Sequence, residues 1–251
     1  MRYRTLAALM LLPSFLCAQA GADSYRQARL LFDADNSKNA EAAAKLFEKA
    51  IEQEPNNADY HLWFARAIGM QAINASVFRQ PFLAKHAKAE FEKTVQLDPN
   101  NIGGREGLLQ FHLRAPSVMG GSKAKAREQA EALMRISPMR GHLALAQFAR
   151  VEKDSAALER EYRGAFGVAP DSSAALYPWM NWLVNKGRLD EAMPLLVKRV
   201  ASHPDEAGAH LLLAVVQEKK GNKDAARKSY TKALELNPKL ESARKALKAL
   251  G

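Results

Sequence analysis

The groups in this 251-residue sequence that could do acid–base, metal or nucleophilic chemistry are few: six histidines, 27 acidic residues and one cysteine. The histidines are His61, His86, His112, His142, His203 and His210, and none stands in HExxH or another short metal-ligand spacing. Asp190-Glu191, Asp205-Glu206 and Asp224 read as helix-start residues, where carboxylates satisfy free amides and favour the helix dipole. Spacing alone leaves open a glycosidase-like carboxylate pair that meets only in space. There is no GxSxG elbow, and the lone Cys17 lies at the extreme N-terminus, so covalent nucleophilic catalysis has no marked residue. The expectation is a chain without catalytic, cofactor-binding or metal-ligating residues, one that binds rather than turns over.

The loop Ala115-Pro116-Ser117-Val118-Met119-Gly120-Gly121-Ser122, followed by Lys123, Lys125 and Arg127, has the ingredients of an anion site. Glycines relax the backbone, and Ser122 is placed to cap a following helix. The GxxxxGK[ST] spacing of a P-loop is missing, and a long structural turn is the competing reading.

Residues 1–20 look like an address rather than structure. Arg2 and Arg4 precede an apolar run from Leu6 to Leu16, and Ala18-Gln19-Ala20 is a small-x-small cleavage site. Cleavage after Ala20 would leave 231 residues, remove Cys17 and lower the formal charge from +10 to +8, because two basic residues and no acidic one depart. A periplasmic or secreted protein without thiols is therefore expected. The alternative is a lipoprotein acylated at Cys17, although Phe15 and Leu16 replace the small residue usual before such a cysteine. The apolar run is short for a bilayer span of about 20 residues and contains Pro13, so no transmembrane segment is expected in the mature chain.

The elements that must position any binding residue are helices. Apolar residues recur at helical spacing, as in Ala43, Leu46, Phe47, Ala50 and Ile51, and period-two β-branched runs are nearly absent. Three phrases, AAAKLFEKAIEQEPNN, KHAKAEFEKTVQLDPNN and DAARKSYTKALELNP, end alike. The prolines Pro55, Pro99, Pro138, Pro170, Pro204 and Pro238 follow one another at 44, 39, 32, 34 and 34 residues. Proline cannot continue a helix, and the Asn or Asp beside it starts the next, so each interval holds a helix-turn-helix unit.

This pattern resembles the tetratricopeptide repeat family over residues 24 to 238. The last unit carries it in Leu213, Ala214, Ala226, Tyr230, Ala233 and Pro238. The first offers Leu31, Ala43, Phe47, Ala50 and Pro55, and the second Phe64, Ala65, Ala87, Phe91 and Pro99. Leu108, Leu109 and Ala126 mark the third, Leu145, Ala146, Tyr162 and Ala165 the fourth, and Trp179, Leu183, Ala192 and Leu196 the fifth. The resemblance implies an all-α solenoid of about six units over 21–251, with residues 240 to 251 as a capping helix. Extra residues fall near 69–84, lengthening the second unit's first helix and turn, and near 115–122.

In the resembling family, partners lie along the first helix of each unit. The aligned positions here are Arg66, Gln110, Arg114, Gln147, Arg150, Asn181, Asn185 and Lys219, a line with four basic members and no acidic one. Asn and Gln satisfy peptide groups and Arg pairs with carboxylates, so a protein or peptide partner, preferably acidic, is implied. A simple solvated face is the alternative. The functional expectation is an exported scaffold or adaptor in the cell envelope, with a peptide- or acidic-glycan-binding module as the second reading and an envelope enzyme as the third. Basic residues alternate with Glu and form no aromatic–basic platform, so nucleic acid is not an expected partner. Peripheral association with an acidic polymer or anionic lipid agrees better with the charge.

Overall fold

Alanine and leucine at three- and four-residue spacing, punctuated by Asn, Asp, Ser and Pro, divide the chain into short helices. The computed structural model describes the backbone of residues 6–250 and the side chains of residues 19–250. Among the described residues there are thirteen α-helices and no strand. They are α1 (Leu6–Ala34), α2 (Asn36–Gln53), α3 (Ala58–Asn74), α4 (Gln80–Leu97), α5 (Ile102–Arg114), α6 (Lys123–Ile136), α7 (Pro138–Val151), α8 (Ser155–Val168), α9 (Ser173–Asn185), α10 (Leu189–Ser202), α11 (Ala207–Lys219), α12 (Lys223–Leu236) and α13 (Glu241–Leu250). The all-α expectation of six helical pairs and a terminal helix is met. Residues 1–5 of the expected export signal and the Cys17 side chain lie outside the described residues; the junction after Ala20 falls inside α1.

The boundaries have local causes. Asp35 accepts from the amides of Ser37 and Lys38, Asn57 from Asp59 and Asn101 from Gly104, so each side chain satisfies amides the new helix leaves free. Ser122 caps α6 through the Lys125 amide, as its place after the glycine pair predicts.

The helices group into two compact units, one ending at Leu158 and the other beginning at Glu159. In the first, α1 packs on α2, α2 on α3, α3 on α4, and so on to α7, each helix against the one before it. Its cores are serial rather than central. One gathers Ala28, Phe32, Ala43, Phe47, Phe64 and Ile68, and the next Leu109, Ala126, Ala130, Leu133 and Ala144. In the second unit Ala214, Ala226, Tyr230 and Ala243 close a cluster to which α13 adds Leu247 and Leu250. Buried alanines allow backbones to approach, and each buried Phe or Leu between them contributes about 1.5–3 kcal/mol.

One sequence assignment is shifted. Leu31 is 38% exposed, and its neighbours Ala28 and Phe32 supply the packing of the first unit instead. A one-residue step turns a helix by about 100°, so the apolar pair Leu31-Phe32 could not be separated by type alone. The extra residues near 69–84 lengthen both helices of their pair: α3 has 17 residues and α4 has 18, against 13 and 14 in α11 and α12.

Candidate protein-binding face

Calling the odd-numbered helices A and the even-numbered ones B, α1, α3, α5 and α7 of the first unit stand side by side. Trp63 is central to this A-helix face. The Arg29 guanidinium lies 3.4 Å and that of Arg66 4.4 Å from the Trp63 ring centroid, and Phe32 meets the ring edge-on at 6.1 Å. Arg29 also donates to Asp33 at 3.2 Å and to the Tyr25 hydroxyl at 3.3 Å, whereas its buried Nε finds no acceptor. Arg66 has no carboxylate within ion-pair distance among the described residues. Burial pushes its pKa below the usual arginine range, partly opposed by the charge of Glu106. Cation–π attraction thus replaces a salt bridge as the direct support of a half-buried charge.

Further along the face, Gln110 donates its side-chain amide to Gln147, joining α5 to α7. Glu106 accepts from Arg140 at 3.3 Å across the same helix pair. The eight positions named from the sequence hold no acidic residue, but Glu106, one turn before Gln110 on α5, is close enough for its charge to be felt at Arg66. Arg114 and Arg150 are exposed nearer the helix ends. The structure joins Gln110 to Gln147 and sets Arg66, together with Arg29, on the ring of Trp63; all five side chains are half-buried, and Arg29 and Trp63 are not among the positions named from the sequence. The missed signal was Arg29 one turn before Phe32, hidden by the misplaced Leu31.

In the second unit Asn181, Asn185 and Lys219 are all exposed. Trp179 and Trp182, three residues apart, stack at 5.4 Å with an interplanar angle of 18° and are both buried, in keeping with a packing role. The dominant polar feature is a knot of four side chains. Arg199 donates to Glu206 at 2.5 Å, to the Asp171 carbonyl at 2.8 Å and to Ser173 at 2.9 Å, while Ser173 and Tyr177 donate to Glu206. Burial alone would raise the Glu206 pKa, but the hydrogen bonds from Arg199, Ser173 and Tyr177 outweigh it and hold the carboxyl down at about 2. Glu206 begins α11 as its sequence position suggests, yet its side chain does not cap that helix.

Paired helices with buried alanines, joined by turns that carry Pro55, Pro99, Pro170, Pro204 and Pro238, recur through both units, and comparison with known proteins agrees with this arrangement. Residues 183–250 match the tetratricopeptide repeat family model. PilW, described as a widely conserved type IV pilus biogenesis factor, superposes with a TM-score of 0.59 at 14% identity, covering 91% of this chain and 99% of that one. PilF of Pseudomonas aeruginosa gives 0.56 at 15% identity over 94% and 99% of the two chains. A thermophilic tetratricopeptide repeat protein of Thermus thermophilus gives 0.52 at 18% identity over 92% and 98%. The fold is that of a tetratricopeptide repeat protein. No curated protein matches the chain in sequence.

The repeat register explains two of the six histidines noted in the sequence. His61 and His210, six residues after Pro55 and Pro204, each place Nε2 2.9 Å from that proline's carbonyl. Arg105 and Arg244 reach the carbonyls of Pro99 and Pro238 from the same offset. The side chain six residues into the new repeat thus ties down the turn closing the previous one. His61 also holds Glu90 at 2.6 Å. His112 donates Nδ1–H to the Gly120 carbonyl at 3.1 Å, and burial pushes its pKa below the usual imidazole range. The glycine loop is folded back on α5: the Ser122 amide donates to the His112 carbonyl, and a Cβ on Gly121 would lie 1.8 Å from the Ala115 oxygen. Gly120 sits at φ +90°, where glycine is favoured. Among the described residues no three His, Cys, Asp or Glu side chains converge as a metal site, and no helix is long and apolar enough to cross a membrane.

Proposed function

We propose that this chain is a non-catalytic scaffold of the cell envelope that captures an acidic, extended segment of a partner protein on the A-helix face of its first unit. The observation that carries this reading is Arg66, half-buried on Trp63 with no carboxylate of its own. A charged group kept partly desolvated has most to gain from a carboxylate, and Gln110 and Gln147 beside it suit backbone amides. Arg114 and Arg150 extend the positive character to one margin, and Asn181, Asn185 and Lys219 offer a separate polar strip in the second unit. The export signal ending at Ala20 supplies the envelope location, with acylation at Cys17 as the alternative route. The likeness of PilW, a pilus biogenesis factor, supports an assembly role in that setting.

Isothermal titration of the full chain with an acidic peptide, its Asn/Gln counterpart and an acidic oligosaccharide tests the binding reading. Binding of the acidic peptide that Arg66→Glu abolishes is expected; tighter binding of the saccharide would favour the glycan reading, and equal binding of both peptides would reject the charge argument. N-terminal sequencing from fractionated cells tests location. A first residue of Gly21 is expected, a lipid-blocked Cys17 would show anchoring, and retained Met1 in the cytosol would overturn export.

A further inference from the structure

The lengthened turn between α3 and α4 leaves apolar side chains in water where packing would normally hide them. Val77 is 79% exposed, Phe78 86% and Phe82 77%, and Ile73 at the end of α3 is 63% exposed. The next turn of the same kind, between α5 and α6, carries Val118 at 93%. Both turns follow an A helix and precede a B helix, at equivalent places in their repeats. Asn74 at the end of α3 donates to the carbonyl and hydroxyl of Ser37 at the start of α2, and Lys123 at the start of α6 pairs at 2.7 Å with Glu152 in the turn after α7.

Charge singles out these two turns. Residues 60–89 and 107–127 contain no Asp or Glu. Around the tips stand Arg79, Lys85, Arg114 and Lys125, all exposed and none within ion-pair distance of a carboxylate among the described residues. Acidic residues return in the turns on either side, with Asp33 and Asp35 before and Glu152 and Asp154 after, so the basic, apolar-tipped zone is bounded. At 77–93% exposure the side chains of Val77, Phe78, Phe82 and Val118 stand almost wholly in solvent. Such projections suit a fluid phase, which closes around a phenyl ring without a matching pocket, and unpaired Lys and Arg at the roots suit anionic headgroups.

We propose that the α3–α4 and α5–α6 turns dock this protein on an anionic lipid surface, with Phe78 and Phe82 entering the interfacial layer and Arg79, Lys85, Arg114 and Lys125 meeting the headgroups. None of Phe78, Arg79, Phe82, Lys85 and Lys125 is among the residues assigned to peptide capture around Trp63, and Arg114 alone borders both faces, so variants of the tips test membrane docking apart from peptide capture. Two aromatic rings and four charges make a reversible, salt-sensitive attachment rather than an anchor.

The apolar residues 6–16 have their own attraction to lipid, so the test reads the tip locally. Full-length chain carrying Phe78→Trp is mixed with vesicles of phosphatidylcholine and phosphatidylglycerol containing brominated acyl chains, and its emission is compared with that of the parent chain. Quenching and a blue shift of the added emission are expected, with loss of both in phosphatidylcholine alone or at high salt. Arg79→Glu with Lys85→Glu in the Phe78→Trp chain should weaken that signal about tenfold or more, while Val197→Ser, an exposed valine of the second unit, should leave it unchanged. Protein that sediments with anionic vesicles while the added tryptophan stays unquenched overturns the proposal. So does a wild-type dimer that Phe78→Ser with Phe82→Ser converts to monomer, since the tips would then meet a second copy; circular dichroism confirms that these variants are folded.

Discussion

The Arg66 guanidinium rests 4.4 Å from the centroid of the Trp63 ring and lacks a salt-bridge partner of its own. Arg29 shares that ring, and the two like charges disfavour each other. Such a site is supported by the quadrupole of one indole and is electrostatically unfinished. An acidic peptide should therefore bind more weakly as salt rises, and Arg66→Met should cost it about tenfold in Kd by titration calorimetry. The same substitution should leave Tm unchanged or slightly higher, because a desolvated charge is removed. A fall in Tm with unaltered affinity would make Arg66 a structural residue.

The knot around Glu206 makes acid stability predictable. Its folded-state pKa of about 2 lies below the ordinary glutamate value of 4.5, so ionisation stabilises the fold above about pH 4.5 and that contribution fades as pH falls toward 2. Glu206→Gln should lower stability at neutral pH by about 2–4 kcal/mol, chiefly by leaving buried Arg199 unpaired. Urea unfolding at pH 7 and pH 3 checks this: the wild-type advantage should shrink markedly at the lower pH.

Two glycines should respond to alanine with opposite sign. A Cβ on Gly141 would lie 2.3 Å from the Met134 Cα, so the crossing of α6 and α7 must open, at a cost of about 1–3 kcal/mol. Gly69, inside α3, has nothing within 4 Å of that position, and Gly69→Ala should stabilise the helix by up to about 1 kcal/mol. Thermal unfolding of the two variants decides it.

The proline-carbonyl ties predict position-specific losses at equivalent sites. His210→Ala removes one exposed hydrogen bond to Pro204 and should cost about 1 kcal/mol. His61→Ala should cost more, about 2–3 kcal/mol, because His61 is buried and also holds Glu90. Equal losses in denaturant titrations would contradict the role assigned to Glu90.

Much of the fold is legible along the chain because its causes are local. Pro55, Pro99, Pro204 and Pro238 each follow the end of a helix, although Pro178 and Pro194 are accommodated inside α9 and α10. Asn57, Asn101 and Ser122 offer caps to the amides a few residues ahead, and Ala226, Tyr230 and Ala233 repeat at helical spacing whatever surrounds them. The site is less legible. Gln110 and Gln147 meet across α5 and α7, since repeats carry equivalent positions to equivalent places. Arg29 is missed, however, because Leu31 and Phe32 are both apolar and only packing against α2 and α3 decides which turns inward. The influence of Glu106 on Arg66 is not legible along the chain, because the two lie forty residues apart and only the packing of α3 beside α5 brings their charges near.

The sequence by itself determined the helices, their order, their pairing into repeats and the turns that close them, all set by interactions within about six residues. Tertiary structure alone decided that Arg29 and Arg66 share Trp63, that Glu206 turns from its own helix to Arg199, and that Phe78 and Phe82 stay in water. The first depends on residues more than thirty positions apart, and all three on the angles at which helices cross. Residue type indicates what a side chain can pair with, and only the packed arrangement places the partner within reach.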